Sequence, residues 1–244
     1  MKYFYITDPG IVRPHNEDSV TIVKNDMDEF MMVVADGMGG HTGGEIASTI
    51  AVTHLEKKFK SITTLGDKES AIEFLKEAVN EANVLIYEYT KLNPSSLGMG
   101  TTIVIALYTD QYLLFGNIGD SSGYVIKNNK MHKITNDHTL VNLLVKTGEL
   151  TLEEAKEHPR KNVLMKALGA NETVEMDVFD VETDVQGVFL CSDGLTNMLN
   201  DDQIIKVLEE KLEIEEKLKK LIYKSNNRGG LDNIAIPYLA KDGE

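Results

Sequence analysis

Four aspartates in this chain stand where an apolar, strand-like run meets a turn of small residues. Asp36 closes Met31-Met32-Val33-Val34-Ala35 and is followed by Gly37-Met38-Gly39-Gly40. Asp120 follows Leu113-Leu114-Phe115-Gly116-Asn117-Ile118-Gly119, and Asp193 follows Val188-Phe189-Leu190-Cys191-Ser192. Asp232 lies between Gly229-Gly230-Leu231 and Asn233-Ile234. A strand aims its terminal carboxylate rigidly, and a neighbouring glycine lets a ligand approach the backbone. Carboxylates gathered in this way repel one another, and hard cations with oxygen ligands relieve the repulsion. The first expectation is a site for magnesium or manganese.

The 244 residues are enough for one large domain or two small ones, and ordinary hydrophobic content provides a sizeable core. No apolar run approaches the ~18 residues of a membrane helix. The start, Met1-Lys2-Tyr3-Phe4-Tyr5-Ile6-Thr7-Asp8, is too short and too soon acidic for a signal peptide. A single cysteine excludes an internal disulfide and fits a reducing, cytoplasmic setting. The net charge of −14 argues against nucleic acid and against anionic membrane surfaces. It does not exclude a phosphoryl ligand, because bound metal ions reverse the local field.

Residues 1–35 read as strands, with Val20–Lys24 and Phe30–Ala35 joined by the polar turn Asn25-Asp26-Met27-Asp28-Glu29. Helices are expected over Glu45–Phe59, on Ile46, Ile50, Leu55 and Phe59, and over Glu69–Leu92, on Ile72, Leu75, Val79, Ala82 and Ile86. Strands follow at Thr101–Tyr108, Tyr112–Ile118 and Gly123–Lys127, then a polar short-helix region over about 137–170. A strand at Val188–Cys191, helices over roughly 201–226 and a strand at Ile234–Leu239 complete the chain, with Pro237 suggesting an edge position for the last. Strands and helices come in blocks, which favours α+β with antiparallel sheets. Strands from both ends share one core, so one domain, 1–244, is expected.

The chemistry can be assigned residue by residue. The two oxygens of Asp36 can bridge two cations, the Gly37 carbonyl is a further oxygen ligand, and Asp193 and Asp232 can complete the ligand set of the other ion. Water between two such ions ~3.5–4 Å apart becomes a hydroxide-like nucleophile near neutral pH, suited to in-line attack on a phosphate ester. Arg13 offers the planar fork that binds two phosphate oxygens at once, with a salt bridge to Glu17 or Asp18 as the plainer alternative. Glu17 and Asp18 suit metal-bound waters better than metal itself. His41, in the same loop as Asp36, is the candidate acid for the leaving alkoxide, with Asp18 acting through water as its rival. His15, His54, His132, His138 and His158 have no zinc-type spacing. Cys191 is followed by Ser192-Asp193-Gly194-Leu195-Thr196-Asn197, without the arginine that a cysteine phosphatase requires, and is expected to be a buried strand residue.

The ordered set Arg13…Asn16-Glu17-Asp18, Asp36-Gly37-Met38-Gly39-Gly40-His41, Gly100-Thr101-Thr102, Gly119-Asp120-Ser121, Ser192-Asp193-Gly194 and Gly230…Asp232-Asn233 resembles the metal-dependent serine/threonine protein phosphatases of type 2C. The pattern at Met38 and His41 looks like the bacterial branch. The resemblance implies a four-layer αββα sandwich of two antiparallel sheets flanked by helices, with a binuclear Mn²⁺ or Mg²⁺ centre at one end. It implies that Asp36 bridges, that the Gly37 carbonyl serves one ion and that Asp193 and Asp232 serve the other. It further implies a third, weaker site on Asp120 with Asp193, phosphate at Arg13, and a flap subdomain over about 139–170. Substrates would be phosphoserine and phosphothreonine proteins, including a partner serine/threonine kinase, and the enzyme is expected to be a monomer. Met38 stands where animal members have a histidine, Ser122 where many relatives have an arginine, and Ala235 where a threonine is common. The competing readings are a non-catalytic phosphoprotein-binding module, against which every metal aspartate is present, and a phosphatase for small phosphate esters.

Overall fold

The computed structural model describes residues 1–39 and 43–241. Its elements, in chain order, are β1 (Lys2–Asp8), β2 (Asp18–Lys24), β3 (Phe30–Met38), α1 (Gly43–Ser61), α2 (Lys68–Leu92), β4 (Gly100–Thr101), β5 (Ile103–Tyr108), β6 (Leu113–Ile118), β7 (Ser122–Lys127) and β8 (Lys130–Lys133). They continue with α3 (Leu140–Lys146), α4 (Leu152–Glu157), β9 (Asp177–Val181), β10 (Gly187–Cys191), α5 (Asp193–Thr196), α6 (Asp201–Leu208), α7 (Ile214–Asn226) and β11 (Ile234–Ala240).

The strands form two antiparallel sheets, ordered β1-β11-β10-β7-β8 and β2-β3-β5-β6-β9, with β4 on the end of β3. Period-two alternation explains how they stack. Met31, Val33 and Ala35 of β3 face one way, towards the apolar faces of α1 and α2. Phe30, Met32 and Val34 face the other way, into the layer between the sheets, where they meet Val188, Leu190, Ala235 and Leu239 of the second sheet. The reverse face of that sheet, with Phe189, Cys191, Ile234 and Ile236, packs on Leu195, Ile204, Val207, Leu218 and Leu221 of α5, α6 and α7. The result is the four-layer αββα α+β sandwich. The wholly buried Phe59, Phe115 and Phe189 each anchor one of its three interfaces. Truncating any of them to alanine would cost about 3–5 kcal/mol.

Several boundaries differ from the sequence expectation. The buried stripe of α1 is Ala47, Ala51, Leu55 and Phe59, with Ile46 and Ile50 on its flank, because small side chains let the helix approach the sheet. β8 and β9 escape a hydrophobic reading, since their residues are mostly exposed or half-buried. β11 is not an edge strand: it lies between β1 and β10. Pro237 is tolerated because the β10–β11 ladder ends at Phe189↔Tyr238, one residue short of it, so no donor is needed there.

Between β8 and β9, residues 139–170 carry α3 and α4, neither of which contributes a fully buried residue. Thr139 caps α3 through Asn142, and Thr151 with Glu154 forms a capping box on α4. The segment is tied at its base by the bridges Thr139↔Leu164 and Thr101↔Leu168.

Candidate active site

At one end of the sandwich, five aspartates from different elements come within electrostatic reach of one another. Asp36 is on β3 and Asp18 is its direct partner across the β2–β3 ladder, so both carboxylates leave the same face of the sheet. Asp193 opens α5 and is separated from the end of β10 by Ser192, Asp232 is separated from the start of β11 by Asn233, and Asp120 follows the turn at the end of β6. Asp36 is half-buried, and loss of solvent around its carboxyl, followed by Asp18, Asp193, Asp120 and Asp232, pushes it well above the usual range. Burial, then Asp193 and Asp137, lifts Asp120 to about 7. Burial and Asp232 raise Asp193, against the opposing hydrogen bonds from Asn197 and Asp36. Asp18 rises to about 8, chiefly by burial, although the Ser192 hydroxyl donates to its Oδ2 at 2.7 Å. Its other oxygen, Oδ1, is buried without a hydrogen-bond partner.

The local sequence explains how each carboxylate is held. Thr102 clamps Asp36 from both sides: its Oγ1 accepts from the Asp36 N–H at 3.0 Å, and its N–H donates to the Asp36 carbonyl at 2.9 Å. Ser121 holds the Thr102 hydroxyl at 2.7 Å, and Thr101 Oγ1 donates to the Asp36 carbonyl at 2.9 Å. Ser192 accepts from the Ala235 N–H at 2.9 Å, tying β10, β11 and Asp18 together. Gly37 is a glycine by necessity, since a Cβ there would lie 2.2 Å from the Gly44 carbonyl oxygen.

Asn233 organises the opposite rim. Its amide donates to the Pro9 and His15 carbonyls at 2.9 Å each, and its Oδ1 accepts from the Glu17 N–H at 2.8 Å. The loop that it pins carries Arg13, whose Nη2 donates to Asp232 Oδ2 at 2.7 Å. Burial disfavours the guanidinium charge, but Asp232, Glu17 and Asp36 outweigh it and raise the Arg13 pKa. Arg13 therefore does stand at the acidic cluster, and its partner is Asp232 rather than Glu17 or Asp18. Burial raises Glu17 too, opposed by Arg13 and by the Gly44 N–H.

A cavity of about 310 Å³ opens over Asp36, Asp120 and Asp193, and its far wall is Asn162, Leu164, Met165 and Lys166. The carboxylates converge without a ready cage: among the described residues no three acidic, histidine or cysteine side chains stand close enough to hold an ion as they are. The chemistry of the set nevertheless fits hard divalent cations. It offers only oxygen donors, it accumulates buried like charge that protons otherwise have to neutralise, and it includes the unsatisfied Asp18 Oδ1.

His41 lies outside the described residues. His54 sits on α1 with its Nε2 at 2.8 Å from Glu81 Oε2, far from this chemistry. His138 accepts from the Gly119 N–H at 3.2 Å and bounds the turn that carries Asp120. Cys191 is fully buried, and burial pushes its thiol far above the ordinary range, so it is no nucleophile. Sequence reasoning left Thr102, Ser121, Ser192 and Asn233 without roles. Their small polar side chains beside the acidic turns are the signal, but their partners lie far off in the chain.

The family model described as protein phosphatase 2C matches residues 13–223. The chain is 39% identical over 237 residues to the serine/threonine phosphatase stp of Listeria monocytogenes, covering 97% of this chain and 94% of that protein. Its fold superposes with a TM-score of 0.93 on the Streptococcus agalactiae serine/threonine phosphatase, at 33% identity over 98% of this chain and 99% of the other. It also superposes with a TM-score of 0.83 on the catalytic domain of the serine/threonine protein phosphatase PstP solved with 2 manganese ions, at 32% identity over 97% and 96% of the two chains.

Proposed function

The chain belongs to the protein phosphatase 2C family, and from that premise we propose a division of labour among the residues of its acidic end. The protein is a metal-dependent serine/threonine protein phosphatase that uses two Mn²⁺ or Mg²⁺ ions and acts on phosphorylated proteins. The observation that carries the assignment of residues is a cavity lined by Asp36, Asp120 and Asp193, with Asp18 and Asp232 acting on Asp36 from beside it and Arg13 bonded to Asp232.

Asp36, the Gly37 carbonyl, Asp193 and Asp232 would hold the two ions, and Asp120 with Asp193 a third. When bound, the ions supply Lewis-acid polarisation of phosphate and water. Arg13, held at the rim by the loop that Asn233 pins, neutralises phosphate oxygens and orients the ester for in-line displacement. Asp18 Oδ1 is free to accept a hydrogen bond from water, while Ser192 fixes Oδ2. Through a water on Oδ1, Asp18 is placed to relay a proton to the departing serine or threonine oxygen. His41 remains the alternative donor from the sequence. The segment 139–170 acts as a flap over the cavity, with Met165 and Lys166 on its inner wall. The whole chain works as one catalytic domain.

No helix among the described residues is long and apolar enough to cross a membrane. A monomeric, cytoplasmic enzyme that acts on phosphoproteins, a serine/threonine protein kinase among them, fits the acidic surface and single buried cysteine. The test is phosphate release from a phosphothreonine peptide with Mn²⁺, with chelator, and with Asp36→Ala. Activity should require the metal and disappear in the variant. Full activity under tight chelation would overturn the assignment.

A further inference from the structure

The rim of the site carries an apolar surface that hydrolysis of the ester does not use. Ile11, Val12 and Leu231 expose 67%, 60% and 56% of their surface. Val12 is the neighbour of Arg13, and Leu231 is the neighbour of Asp232, the two residues paired at 2.7 Å. The three side chains therefore border the point where a substrate phosphate is received.

Their display is built rather than incidental. The Ile11 and Val12 N–H groups donate to the Gly230 carbonyl at 2.8 and 3.1 Å, which locks the two loops together. Gly230 has φ +49°, and a Cβ on it would meet Ile11 Cγ1 at 2.8 Å. Gly10 has φ +75°, and a Cβ there would lie 2.5 Å from the Asp232 carbonyl oxygen. Two left-handed glycines and two backbone hydrogen bonds hold the apolar residues outward, although the chain is otherwise acidic, at −14. Exposed apolar residues grouped beside a binding site mark a contact surface.

We propose that Ile11, Val12 and Leu231 form a docking pad for a hydrophobic side chain next to the phosphoserine or phosphothreonine of a protein substrate, a proposal that rests on the phosphatase reading of the site. The occupant follows from continuity with that site. An extended peptide advances about 3.3 Å per residue, so with its phosphate at Arg13 the flanking side chains fall on the rim. The pad offers them no charge, and acidic side chains there would meet Asp232 and Glu17 across the Arg13 pair. Apolar flanks are favoured and acidic flanks disfavoured.

The test uses the whole enzyme with Mn²⁺ and a panel of phosphothreonine peptides carrying leucine, serine or aspartate on either side of the phosphoresidue. A small aryl phosphate serves as the reference. The native enzyme should prefer a leucine-flanked peptide over the aspartate-flanked one by about tenfold in kcat/KM. In Ile11→Ser, Leu231→Ser and their combination, the ratio of leucine-flanked peptide to aryl phosphate should fall towards that of the serine-flanked peptide, through KM more than kcat. No preference among peptides in the native enzyme, or a preference that the variants retain, would overturn the proposal. So would a concentration-dependent dimer that the variants abolish while peptide preference stays unchanged, since the patch would then serve a second copy. Turnover of neither peptide nor aryl phosphate would remove the phosphatase reading and this proposal with it.

Discussion

Asp18 and Asp36 are direct partners across the antiparallel β2–β3 ladder, a buried and a half-buried aspartate placed side by side on one face of a sheet. Cross-strand like charges are destabilising, and burial worsens the repulsion. The arrangement holds unless protons or cations neutralise it, and this sets both the function of the end of the sandwich and its vulnerability.

The first consequence is a pH dependence of the metal-free protein. Asp18 holds its proton up to about 8 in the folded state, against an ordinary value of 3.8. Between these values the folded chain binds more protons than the unfolded one. The stabilisation is complete below the lower value and is lost as pH rises through the upper one. Chelated protein should therefore melt lower at pH 8 than at pH 5, by about 5 °C or more, and saturating Mn²⁺ should largely remove the slope. A flat melting profile under chelation would contradict the buried cluster.

Substitution of the central carboxylate should separate stability from activity. Asp36→Asn keeps the shape and removes the charge on which Asp18, Asp193, Asp120 and Asp232 all act. In chelator at pH 8 the variant should melt higher than the native protein. Its phosphatase activity with Mn²⁺ should fall by roughly a thousandfold or more, and calorimetric Mn²⁺ binding should weaken. A variant that loses activity and stability together would point to a structural role.

Arg13 should be sensitive to shape as well as charge. Arg13→Ala removes the fork that donates to Asp232 and should lower kcat/KM on phosphopeptides by about a hundredfold. Arg13→Lys keeps one positive charge but not the bidentate geometry, and should fall between the two. Equal activity of the lysine variant and the native enzyme would show that only the charge matters.

Gly37 has no room for a methyl group. A Cβ would approach the Gly44 carbonyl oxygen to 2.2 Å and the Glu17 carbonyl oxygen to 2.5 Å, both backbone atoms. Gly37→Ala should destabilise the protein by about 3 kcal/mol and disturb the turn after Asp36. Thermal denaturation with and without Mn²⁺ measures the loss.

Local information was enough for much of this molecule. The runs Phe30–Ala35, Val188–Cys191 and Ile234–Leu239 are strands because both of their faces are apolar, and the three-four spacing from Leu75 to Ile86 is a helix for the same kind of reason. The carboxylates at the strand ends were visible too, and their number and glycine neighbours already pointed to divalent metal and phosphate. Tertiary structure decided what periodicity cannot carry. It put β11 inside a sheet despite Pro237, because hydrogen-bond demand at one residue depends on where a distant ladder stops. It made β8 and β9 from weakly apolar segments that become strands only when a neighbour offers its edge. It gave Arg13 to Asp232, Ser192 to Asp18 and Asn233 to the Arg13 loop, pairs separated by 219, 174 and 218 residues. Hydrogen bonds of that kind follow from chain closure in space, and no spacing along the sequence encodes them.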